Sequence, residues 1–118
     1  MTMRPKRNPE VVWRIEKGVH DLAWEKARQG EEYEEMGVLT LMVRGTIHQL
    51  NLVGAEIWTR INGVNSVERI AAEIAEVFDA DPEEIEQDVT EFLRDAAGKG
   101  WVTLGGGDGP AGPKWAGQ

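Results

Sequence analysis

The chain has no cysteine, one serine, two histidines and one tyrosine among its 118 residues. Without thiols, disulfides, thiol catalysis and zinc–thiolate centres are excluded together, and the fold must be held by packing. The single serine, Ser66, stands where a helix begins, which accounts for it as a cap rather than a nucleophile. His20 and His48 fall in different elements with no carboxylate at ligand spacing on a predicted helix, so no metal site is expected. No apolar run is long enough to span a bilayer, and the start Met1-Thr2-Met3-Arg4-Pro5-Lys6-Arg7 lacks the apolar segment of a secretion signal; a cytoplasmic protein is the expectation. The glycine run from Gly105 to Gly109 lacks the lysine and the following helix of a phosphate loop.

Acid is what the chain has in excess. Its formal net charge is -8, and from Leu52 to Thr103 twelve acids face four bases, so this half carries the whole imbalance. Phosphate backbones would be repelled there, because nucleic-acid affinity rests on Lys and Arg displacing counterions. A cationic or neutral partner fits better. The length allows one domain with a core of modest size.

The order of elements follows from periodicity and punctuation. Residues 1–9 are basic with two prolines and read as a flexible arm, and 10–103 as the folded domain. The Gly/Pro-rich residues 104–118 read as a disordered tail. Glu10 to Glu16 alternates, with Val11, Trp13 and Ile15 on one side, as a half-buried strand requires. Lys17 to Met36 mixes charges with scattered apolar residues and reads as a long connection holding one helical turn near Asp21 to Arg28. Val38 to Val43 and Thr46 to Leu50 are strand-like runs separated by Arg44-Gly45, a tight antiparallel hairpin.

Three helices should follow. Asn51 caps the first, from Leu52 to Ile61, which stops at Asn62-Gly63. The second starts at Asn65 or Ser66 and has Val67, Ile70, Ala71, Ile74, Val77 and Phe78 on one face. Asp81-Pro82-Glu83-Glu84 opens the third, which ends near Gly98-Lys99-Gly100 before a short Trp101-Val102-Thr103 extension.

In the third helix Ile85, Val89, Phe92, Leu93 and Ala96 form the buried stripe, and Glu84, Asp88, Glu91 and Asp95 repeat along its border. A solvated flank explains such a row as well as a binding surface does. Paired carboxylates serve as acid and base only in a cleft that shifts their pKa values, and the sequence shows none, so a binding module is favoured over an enzyme. The strand Thr46 to Leu50 is the natural binding element: an edge leaves amides and carbonyls for an extended peptide to pair with.

The stretch Leu50-Asn51-Leu52-Val53-Gly54-Ala55-Glu56-Ile57-Trp58, then Gly63, Val67 to Ile74, Phe78 and an acidic helix closing at Gly100-Trp101-Val102 resembles the PqqD-like proteins. The resemblance covers Val38 to Val102. It departs at Asn62, where aspartate is frequent, at Val53, where a small hydroxyl residue is common, and in the longer Lys17 to Met36 connection. It implies an α+β fold, a winged helix-turn-helix with a three-stranded antiparallel sheet followed by three helices. It also implies a RiPP recognition element, a peptide chaperone of the coenzyme PQQ biosynthesis type. Such a chaperone captures the leader of a ribosomally made precursor and presents it to a maturation enzyme, usually a radical S-adenosylmethionine (radical SAM) protein. The leader would add to Thr46, Ile47, His48, Gln49 and Leu50, with Gln87, Asp88, Glu91, Arg94 and Asp95 of the third helix meeting its side chains. No cofactor is implied.

Two competing readings share the architecture. A winged-helix DNA-binding regulator needs outward Arg, Lys, Asn or Gln on its recognition helix. Carboxylates dominate here, with Arg94 outnumbered. A scaffold subunit that holds two enzymes without a peptide ligand is the other.

Overall fold

In a computed structural model, residues 3–104 are described. The elements run β1 (Lys6–Arg7), β2 (Val12–Ile15), α1 (Lys17–Arg28), β3 (Leu39–Val43), β4 (Thr46–Leu50), α2 (Leu52–Thr59), α3 (Val67–Phe78), α4 (Pro82–Gly98) and β5 (Val102–Thr103). The chain divides into two compact units. Pro9–Thr59 forms one, and the described residues up to Asn8 together with those from Arg60 onward form the other.

The unit from Pro9 to Thr59 is built on an antiparallel sheet in the order β2-β3-β4. The β3–β4 hairpin turns at Arg44 and Gly45, both with positive φ (51° and 81°). Left-handed backbone at both central positions is what a two-residue hairpin loop needs to match strand twist. Alternation sorts the faces: Leu39, Leu41 and Leu50 are buried, whereas Val12, Met42 and Ile47 point outward. Asn51 caps α2 as expected, its Oδ1 accepting the Gly54 amide at 3.0 Å. Trp58 on α2 is fully buried and meets Trp13 of β2 edge-on, with ring centroids 6.3 Å apart.

The stretch from Lys17 to Met36 departs from the reading of a connection with a single turn, because its first twelve residues form α1. Among the described residues there are therefore four helices, one of them between the first two strands of the three-stranded sheet. The inward stripe of α1 is His20, Ala23, Trp24 and Ala27, while the aliphatics Val19 and Leu22 face out. A stripe of small and amphipathic residues satisfies helical spacing without looking apolar.

In the other unit α3 packs on α4. Ser66, not Asn65, caps α3, with its Oγ accepting the Arg69 amide at 3.1 Å. Asn65 instead donates from Nδ2 to the Arg60 carbonyl. Asp81 caps α4 by accepting the Glu83 amide at 2.9 Å, with Pro82 at the first helical position, where its missing N–H costs nothing. The buried faces are Val67, Ile70, Ala71, Ile74 and Ala75 on α3, and Ile85, Val89, Leu93 and Ala96 on α4; Val77, expected on the apolar face, is 45% exposed in the last turn of α3.

The basic start, read as a flexible arm, is tied down over its described residues. Lys6 and Arg7 pair antiparallel with Thr103 and Val102, and Pro5 is fully buried. The Pro5 carbonyl accepts the Gly63 amide, the Met3 carbonyl accepts the Val67 amide, and the Asn8 amide donates to Trp101 O. Every partner lies more than fifty residues away, so no local pattern announces the pairing. The tail read as disordered lies, beyond Leu104, outside the described residues.

Candidate functional site

Strand β4 pairs through β3 alone; among the described residues no strand takes its other edge. In this register Thr46, His48 and Leu50 turn their amides and carbonyls towards β3, so Ile47 and Gln49 present donors and acceptors on the open side. The side chains divide. Thr46, Ile47 and Gln49 are exposed and His48 is half-buried opposite Leu41, whereas Leu50 is buried and its carbonyl accepts from the Val38 amide. Ile47 is 62% exposed, so it is a surface residue and not part of the core.

Gln49 is held on the sheet. A Cβ added at Gly37 would lie 2.5 Å from Gln49 Oε1, so glycine makes the space in which this side chain rests. Gln49 Nε2 donates to Thr40 Oγ1 (3.5 Å), Thr40 Oγ1 donates to Glu16 Oε2 (2.7 Å), and Arg14 Nε donates to the same oxygen (3.0 Å). A polar chain therefore crosses the outer face from β4 to β2. The Thr40 bond, then the Arg14 bond, hold the Glu16 carboxyl below the ordinary carboxylate range.

On α4 the candidate residues sort onto two faces. Gln87, Glu91 and Arg94 line an open recess of about 520 Å³ together with Glu83, Glu86 and Thr90. Arg94 also lines a second recess, of about 380 Å³, with Ala97, Gly98 and Leu104. Asp88 and Asp95 line neither recess, and Asp95 Oδ2 accepts from Lys99 Nζ at 2.9 Å, an ordinary i,i+4 pair. Glu83, Glu86 and Thr90 lie outside the expected residues, because the acidic row marks the border of the buried stripe rather than this recess. Residues 83, 87, 90 and 94 step round the opposite side at the same helical spacing, which was the available signal.

His20 has carboxylate neighbours that the sequence did not reveal. Its Nδ1 lies 3.3 Å from Asp21 Oδ1 and its Nε2 lies 3.6 Å from Glu56 Oε2, which links α1 to α2. Among the described residues no group of three or more His, Asp or Glu is placed to hold a metal ion, and no helix is long and apolar enough to cross a membrane.

Comparison with known proteins follows the same lines. No curated protein matches the chain in sequence. Among solved structures, the PqqD truncation of Methylobacterium extorquens PqqCD, described as a functional and stand-alone RiPP recognition element, superposes with a TM-score of 0.58. It is 20% identical, over 83% of this chain and 86% of that one. TbiB1 in complex with the TbiA(beta) leader peptide superposes with a TM-score of 0.57 at 23% identity, over 82% of this chain and 93% of that one. Both likenesses concern the fold, an α+β arrangement with a three-stranded antiparallel sheet. The profile of coenzyme PQQ synthesis protein D matches residues 32–102, more than half of the sequence, and the chain belongs to the PqqD family.

Proposed function

We propose that this protein is a peptide-binding RiPP recognition element. It captures the leader of a ribosomally synthesised precursor as an added strand on β4 and presents it to a modifying enzyme, a radical SAM protein. The observation that carries this reading is the open edge of β4. An extended peptide satisfies such an edge by main-chain hydrogen bonds, which give affinity, while neighbouring side chains give selectivity. Membership of the PqqD family and the leader peptide bound to TbiB1 support it. The role is binding rather than catalysis, and it is exercised in the cytoplasm.

Thr46, Ile47, His48, Gln49 and Leu50 form the docking strand in this proposal, with Ile47 and Gln49 turning their main-chain groups to the guest. Gln87, Asp88, Glu91, Arg94 and Asp95 are proposed to read the leader's side chains. The finer fold reading, a winged helix-turn-helix, rests on the order of the elements.

The test is to titrate the isotope-labelled protein with a leader peptide encoded by a small open reading frame beside its gene. Amide signals of Thr46 to Leu50 and of Gln87 to Asp95 should shift. Shifts confined to α3 would put the peptide elsewhere. A basic leader should lose about tenfold in affinity at low salt on Asp88→Lys with Glu91→Lys, and less at high salt, since exposed pairs are screened. Unchanged affinity would make the acidic row a solvated flank.

A further inference from the structure

The outer face of the sheet carries a feature that edge pairing alone does not require. Val12, Met42 and Ile47 stand directly opposite one another on β2, β3 and β4, and they are 67%, 45% and 62% exposed. Three aliphatic side chains in one cross-strand row make a strip that runs the width of the sheet and ends at Ile47, on the open edge. The next row on the same face is Arg14, Thr40 and Gln49, two residues along. That row is cross-linked through Glu16. One row is thus apolar and solvated, and the other is polar and bonded within itself.

We infer that Ile47 is a specificity-determining residue for the captured peptide, selecting a large aliphatic or aromatic side chain at one position of the added strand, with a polar residue two positions away beside Gln49. The inference rests on the proposed capture at β4 and says what chemistry that capture prefers. A strand added there lies about 4.8 Å beyond β4, and the side chain opposite Ile47 sits on the same face with its Cβ about 5 Å away. An apolar guest side chain extends the strip to a fourth member and removes Ile47 and part of Met42 from water. A charged one would be placed against hydrocarbon. Two residues on, the guest meets Gln49, whose amide is already directed at Thr40, so that position favours a small or hydrogen-bonding side chain.

The experiment uses the full chain, immobilised, and an mRNA-displayed library of random twelve-residue peptides. Wild-type protein should enrich sequences with an aliphatic or aromatic residue at one aligned position. Ile47→Lys should move the preference at that position to Asp or Glu by about two- to fivefold, as expected for a cross-strand pair. Gln49→Lys should do the same at a position two residues away, the period of a strand. Both side chains are exposed, so neither change threatens the fold; an unaltered amide spectrum checks it. Enriched peptides whose preferences ignore Ile47→Lys would overturn the inference and leave peptide capture standing. No enrichment over blank beads would overturn capture and the inference with it.

Discussion

Arg44 occupies a backbone conformation that an arginine adopts at a cost. Its φ of 51° is in the left-handed region, and it shares a two-residue hairpin loop with Gly45. Asn-Gly is the pair best suited to such a loop. Arg44→Asn should therefore stabilise the protein by about 0.5–1 kcal/mol, read as a higher urea midpoint with an unchanged slope. Glu73 illustrates the opposite dependence, on solvent rather than on backbone. It accepts from Arg69 Nε at 3.0 Å and Arg60 Nε at 3.1 Å. The Arg69 bond first, and then Arg60, hold its carboxyl below the ordinary range against the opposing effect of burial. A lowered folded-state pKa means stability that is fully present above the unfolded value and is lost as pH falls through the folded one. Urea midpoints measured from about pH 6 down to pH 3 should fall less steeply for Glu73→Gln than for the wild type.

Helix ends decide how far the sequence could be read. Asp81 and Ser66 cap α4 and α3 through single side-chain bonds to otherwise unpaired amides. Asp81→Ala and Ser66→Ala should each cost about 1 kcal/mol in urea unfolding, and the two should add because the sites share no partner. These elements were legible because cap, proline and apolar spacing agree. The hairpin was legible for the same reason, with Gly45 between two strand-forming runs. Helix α1 was not: Glu16 makes no side-chain cap bond, Gly18 sits in the first turn, and the buried stripe is built around Ala23, His20 and Trp24. The strand β4 was legible because it depends on local pattern. Which side of α4 faces a recess was not: of the acidic row, Glu91 lines one, whereas Asp88 and Asp95 line neither.

Across the whole molecule, the decisive unread feature is the pairing of β1 with β5, because it joins residues nearly a hundred positions apart. Removing residues 1–8 should take away the β1–β5 ladder, three further long-range backbone hydrogen bonds and the burial of Pro5. The expected loss is at least about 3 kcal/mol by urea unfolding, at roughly 1 kcal/mol for each bond plus the exposed apolar surface. A loosely held arm would leave the midpoint where it was. The acidic excess of the second half, by contrast, could be read from composition alone, since charge needs no partner to be counted.

The same long closure orders events during synthesis. The unit Pro9–Thr59 is continuous in sequence, so all of its pairings, β4 on β3 included, can form once Thr59 has left the ribosome. The unit containing β1 must wait for Val102 and Thr103 before its sheet can close. At about 5–20 residues per second the nascent chain spends a few seconds with the first part made and the second unfinished.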